Sequence, residues 1–145
     1  MRIHIVLSTF LAASAFAAAP DSPVGLWKTV DDKTGRPRGL VRIYEQDGAL
    51  YGPIESSFDA AEARDVCDKC PGLRRNQPIV GLVILQGLRK HGSEFSGGEI
   101  LDPDTGSTYR CRLTLEDKGT RLIVRGYIGL PIAGRSQTWH RTETR

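Results

Sequence analysis

Apolar and polar residues alternate with a period of two along much of the chain. The cleanest stretch is Thr108 to Glu116: Tyr109, Cys111, Leu113 and Leu115 fall on one face, and Arg110, Arg112 and Thr114 on the other. Leu122, Val124, Gly126 and Ile128 alternate in the same way against Arg121, Ile123, Arg125 and Tyr127. Val41 and Ile43 alternate with Arg42 and Tyr44. Asp47-Gly48 follows, a pair suited to the positive φ of a tight hairpin turn, and Leu50, Gly52 and Ile54 resume the pattern. Val24 to Val30, Phe95 to Leu101 and Ser136 to Arg141 read as further strands. Ile79 to Leu88 is nearly continuous in apolar residues and reads as a buried strand bent at a glycine.

These runs predict about eight strands. Turn clusters separate them, among them Asp31-Asp32-Lys33-Thr34-Gly35, His91-Gly92-Ser93, Asp102-Pro103-Asp104-Thr105-Gly106 and Asp117-Lys118-Gly119. Parallel pairing needs a crossover of a dozen residues or more, and only residues 56–78 offer that length. The expected fold is therefore all-β: a small antiparallel up-and-down β-barrel, closed so that no sheet edge stays exposed. One short helix, Phe58 to Arg64, is expected in the long loop.

The first segment has a different character. Met1-Arg2 is basic, Ile3 to Phe16 carries no charge apart from the weakly basic His4, and Ala15-Phe16-Ala17 has the small-x-small form of a cleavage site. Residues 1–17 are thus expected to be a signal peptide, leaving a single barrel domain over residues 18–145 in the periplasm or secreted. The apolar run is too short for a membrane span, and no later segment reads as one, so no stable membrane insertion is expected. Twenty basic and seventeen acidic residues give a formal charge of +3, too mild to argue for nucleic acid as a partner.

Gly25-Leu26-Trp27 opens the first strand and Arg141 closes the last. A Gly-x-Trp paired with a terminal arginine resembles the signature of lipocalins and their calycin relatives. There the indole plugs the closed end of the barrel and the guanidinium packs across its ring, so Gly25, Trp27 and Arg141 are expected to be structural. The segments GLWKTVDDKTGRPRGLVRIYE, CDKC, SGGEILDPDTGSTYRCRLTLED, LIVRGYIG and GRSQTWHR resemble the secreted bacterial family named domain of unknown function 2147. The resemblance implies a small periplasmic lipocalin-like barrel. It brings no established activity, and no catalytic residue is carried over.

The candidate chemistry is sparse. Cys67-x-x-Cys70 reads first as a local disulfide stiffening the long loop. A redox-active dithiol and a zinc site completed by Cys111 and His91 are the alternatives. Cys111 is expected to be a buried free thiol, with a bridge to Cys67 or Cys70 left open. Asp102, Asp104 and Gly106 faintly suggest a calcium loop, but Pro103 and the missing downstream glutamate favour a plain turn. No nucleophile elbow or histidine-centred constellation is visible, so the chain is read as a non-enzyme with no cofactor and no metal. Glu99 is expected on a face with Phe95 and Leu101, either paired with Arg42 or Arg125 or facing a guest.

The candidate ligand-binding residues are Tyr44, Tyr51, Phe95, Glu99, Tyr109, Arg125 and Tyr127, with Trp139 in the same aromatic set. The interior of an eight-stranded barrel either packs solid or holds one small ligand. The leading expectation is a carrier for a small, partly apolar molecule entering opposite Trp27 under a lid formed by residues 56–78. The alternatives are an envelope interaction module with a solid barrel and a thiol-redox protein using Cys67 and Cys70. The sequence leaves ligand identity and oligomeric state open.

Overall fold

The Asp47-Gly48 hairpin forms as its residues dictate: φ is 53° at Asp47 and 76° at Gly48, the left-handed region that glycine and aspartate tolerate best. It joins β2 (Pro37–Gln46) to β3 (Ala49–Ser57). The computed structural model describes residues 21–142. The segment read as a signal peptide lies outside the described residues. The other strands are β1 (Gly25–Val30), β4 (Val83–His91), β5 (Glu94–Asp102), β6 (Ser107–Glu116), β7 (Arg121–Tyr127) and β8 (Gly134–Thr142). Each pairs antiparallel with its neighbour in sequence. β8 returns to β1 through Leu26–Thr142, Trp27–Arg141 and Lys28–His140, so the sheet closes into a barrel of eight strands.

Alternation decides which side chains fill it. On β6, Cys111 and Leu113 are fully buried, and Leu122 and Val124 face them from β7. Trp27, Ile43, Leu50, Leu85 and Leu88 join them in one continuous apolar cluster. The hairpins β2–β3, β4–β5 and β6–β7 lie at the end where β1 begins. The connections β1–β2, β3–β4, β5–β6 and β7–β8 lie at the opposite end.

Two local expectations change. The helix read over Phe58 to Arg64 is only a single 3-10 turn at Glu62–Arg64, with a second such turn at Gly72–Arg74. Seven residues are too few to sustain an α-helix without tertiary support. The Asp59 carboxylate instead accepts from the backbone N–H groups of Ala61 and Glu62 and holds a tight turn. The strand read from Ile79 begins only at Val83. Ile79 and Leu82 are buried in a turn whose Leu82 N–H donates to Ile79 O, with Gly81 at φ 96°. A continuous apolar run records burial and not conformation, which is why the boundary was misplaced.

Candidate functional site

The two ends of the barrel are built differently. At the base, Trp27 is wholly buried and its Nε1–H donates to Pro23 O at 2.7 Å. The Arg141 guanidinium lies over the indole, 4.3 Å from the ring centroid. Its nitrogens donate to three backbone carbonyls: Nε to Gly119, Nη1 to Val24 and Nη2 to Ser22, at 2.6–2.8 Å. Gly25 sits at φ 143°, and a Cβ there would stand 2.6 Å from Arg141 Nη1, so the glycine is needed for both conformation and space.

The other end is hollow. A cavity of about 530 Å³ opens between the four connections at that end. Its floor includes Trp139, Val41 and Val124, all at most 2% exposed. Ile54, Ile84, Ile100, Tyr109 and Tyr127 line the walls. The Trp139 indole N–H donates to Gln137 Oε1, also in the lining, at 3.1 Å. The volume is in the range of small-molecule pockets, and the lining is mixed: an apolar floor and walls below a broad polar and charged rim that includes Asp31, Arg38, Glu62 and Asp104.

The rim is charged. Arg38, at the start of β2, makes a two-pronged contact with Asp104 at 2.8 and 3.2 Å and reaches Glu62 at 2.8 Å. The Ser57 hydroxyl donates to the other Glu62 oxygen at 2.7 Å. This cluster ties β2 to the β3–β4 connection and to the β5–β6 turn. The Asp104 bond, aided by both carboxylate charges, raises the Arg38 pKa further. Asp31 is held below the ordinary aspartate range, mainly by the Thr34 backbone N–H. Arg135 pairs with Asp32 across the β8 and β1–β2 stems.

The β3–β4 connection is fastened over one side of this mouth. Cys67 and Cys70 are bridged, with Cα atoms 5.4 Å apart, and both are buried. The Cys67 backbone bonds Gln77 O and the Asn76 N–H, and Gly81 N–H donates to Ile54 O. Gly106 of the β5–β6 turn leaves no room for a Cβ against the Lys69 carbonyl. Glu62 and Ile79 bring the connection to the cavity itself.

The model of the family described as "Uncharacterized protein conserved in bacteria (DUF2147)" matches residues 25–141. The chain belongs to this family. Among solved structures, the barrel is similar to protein HP1028 from the human pathogen Helicobacter pylori, which is described as belonging to the lipocalin family. The TM-score is 0.72 at 24% identity over 84% of each chain, a likeness of fold. No curated protein matches the chain.

The DUF2147 barrel separates the seven residues read as ligand-binding candidates. Tyr109 and Tyr127 line the cavity. Phe95 packs against the core cluster and does not reach the cavity. Tyr44 and Tyr51 stack on each other at 5.8 Å, and neither lines the cavity. Arg125 is half-buried, does not line the cavity, and donates to Ser136 Oγ and Ile132 O. Glu99 is exposed beside Gln86, and does not share a face with Phe95. The strand shifts register between Phe95 and Gly98, with Gly97 at φ 81°, and this bulge turns Gly98 inward and Glu99 outward. The expected partner Arg42 instead binds Glu55.

Several rim and floor residues escaped the sequence reading: Arg38, Glu62, Asp104 and Gln137. Gln137 had a signal, because it lies two positions before Trp139 on one face of β8. The other three had none, since Arg38 and Asp104 stand 66 residues apart. Cys111 is the free thiol, fully buried, and burial pushes its pKa up to about 12. At neutral pH it stays protonated and is a poor nucleophile. Among the described residues, no group of three or more His, Cys, Asp or Glu side chains could hold a metal ion. Asp102 instead accepts from the Asp104 N–H within the β5–β6 turn.

Proposed function

We propose that this DUF2147 barrel is a periplasmic carrier that takes a small, partly apolar molecule through its open mouth. The observation that carries this reading is the half-hollow interior: a chamber of about 530 Å³, apolar at its floor and charged at its rim, above a solidly packed base. The apolar part of the guest rests on Trp139, Val41 and Val124, and its polar end lies toward the Arg38 rim. Tyr109 and Tyr127 offer hydroxyls between the two zones. The similarity of fold to a lipocalin-family protein supports the same reading. The periplasmic assignment rests on the signal-like first 17 residues and on a Cys67–Cys70 bridge suited to an oxidising space.

The competing readings fit the molecule less well. An interaction module with a solid barrel has no use for the chamber. A thiol-redox role needs an accessible, acidic thiol, whereas Cys67 and Cys70 are 1% and 2% exposed. Titration with the fluorescent apolar probe N-phenylnaphthylamine tests the carrier reading. The expected result is saturable one-to-one binding that Val124→Trp, which fills the chamber floor, weakens by ~tenfold or more. Absence of saturable binding, or binding indifferent to Val124→Trp in a folded variant, overturns it.

A further inference from the structure

Three of the four connections around the mouth are strongly polar. The fourth, between β7 and β8, is not: from Gly126 to Gly134 the sequence is GYIGLPIAG, without a charged residue. Ile128 is 71% exposed, Leu130 71% and Ile132 85%. Elsewhere the large exposed apolar side chains of the described residues stand apart in sequence, as Tyr44, Phe58, Val66 and Leu73 do. Single exposed apolar residues are ordinary, whereas three on one short connection form a patch. Gly129, at φ 74°, meets no atom within 4 Å of a Cβ position, so the connection faces open space at that point.

We propose that the β7–β8 connection docks on a lipid bilayer, dipping Leu130 and Ile132 into the boundary between headgroups and acyl chains. Size argues for lipid over protein. A stable protein contact needs roughly 800 Å² per partner, far more than three aliphatic side chains present. A shallow, reversible insertion can be made by a small apolar tip, its strength scaling with the apolar area buried. Charge adds little: at the two stems Arg135 is paired with Asp32, and Arg125 donates to Ser136 Oγ and Ile132 O, so the apolar tip carries the association. Position gives the docking its purpose. Ile128 and Ala133 of this connection also line the cavity, so an apolar guest passes from bilayer to chamber along one apolar edge. Only that last step rests on the carrier reading; the docking does not.

Flotation with vesicles of phosphatidylethanolamine and phosphatidylglycerol tests the proposal, using the full mature chain and the double variant Leu130→Ser, Ile132→Ser. Neither side chain lines the cavity. The unaltered protein is expected to float with the vesicles, and the double variant to lose ~tenfold or more of that association. N-phenylnaphthylamine binding in solution is expected to stay unchanged in the variant. Failure of the unaltered protein to float overturns the proposal, as does equal flotation of the variant. A change from dimer to monomer on substitution without vesicle binding overturns it too, by assigning the patch to a second copy of this chain. Failure of the probe to bind either protein, with flotation intact, removes the carrier reading and leaves the docking standing.

Discussion

The lower and upper halves of this barrel use the same eight strands to opposite ends. Below, Trp27, Ile43, Leu50, Leu85, Leu88, Leu113 and Leu122 fill the interior, and a buried indole under a guanidinium seals it. Above, Ile54, Ile84, Ile100, Tyr109 and Tyr127 surround open space, while charged pairs hold the rim. Close packing is thus concentrated at the base and open volume at the mouth. The difference shows that barrel closure alone does not decide whether the interior is solid; the side chains on each level do.

Substitutions at the two ends break this contrast in measurable ways. Trp27→Ala removes the largest buried group of the base and leaves a cavity beneath a stranded guanidinium. The expected loss is about 3–5 kcal/mol in denaturant unfolding. A loss under about 1 kcal/mol would mean that the base is not where stability resides. Arg141→Ala keeps the indole but orphans the carbonyls of Ser22, Val24 and Gly119, for an expected loss of about 2–3 kcal/mol. Arg141→Lys is expected to recover less than half of that, because an ammonium does not reproduce a planar three-way fork over a ring.

At the mouth the effect shrinks. Arg38→Ala breaks contacts to Asp104 and Glu62, but these groups are a quarter or more exposed, so the expected cost is below about 1 kcal/mol. Its signature is local: faster hydrogen exchange at residues 62–67 and 104–106, with the β6 and β7 amides unchanged. A large global loss would place the rim in the stabilising machinery and erase the distinction between the ends.

The barrel was legible in the sequence because strand alternation and turn chemistry are local. Asp47-Gly48 announces its hairpin, and Tyr109 to Leu115 announce an inward face that the structure keeps. The Trp27–Arg141 stack was legible through its paired motif at the two chain ends. The site was legible only in part. Glu99 was misplaced because a bulge at Gly97 reverses the alternation, and a one-residue slip moves each following side chain to the other face. The Arg38–Asp104–Glu62 cluster was invisible because it joins the start of β2 to two connections distant in sequence. Whether Tyr109 and Tyr127 pack solid or face a chamber depends on summed volumes across strands, which no single stretch reveals.

The two tryptophans allow the most direct measurement. Trp27 plugs the base and Trp139 floors the chamber, so their indole N–H signals in a proton–nitrogen correlation spectrum report one end each. On titration with N-phenylnaphthylamine, with the peaks assigned by Trp27→Phe and Trp139→Phe, the Trp139 signal is expected to shift progressively to saturation while the Trp27 signal stays in place. A probe that binds yet moves Trp27 and leaves Trp139 unmoved would contradict a carrier loaded from the mouth.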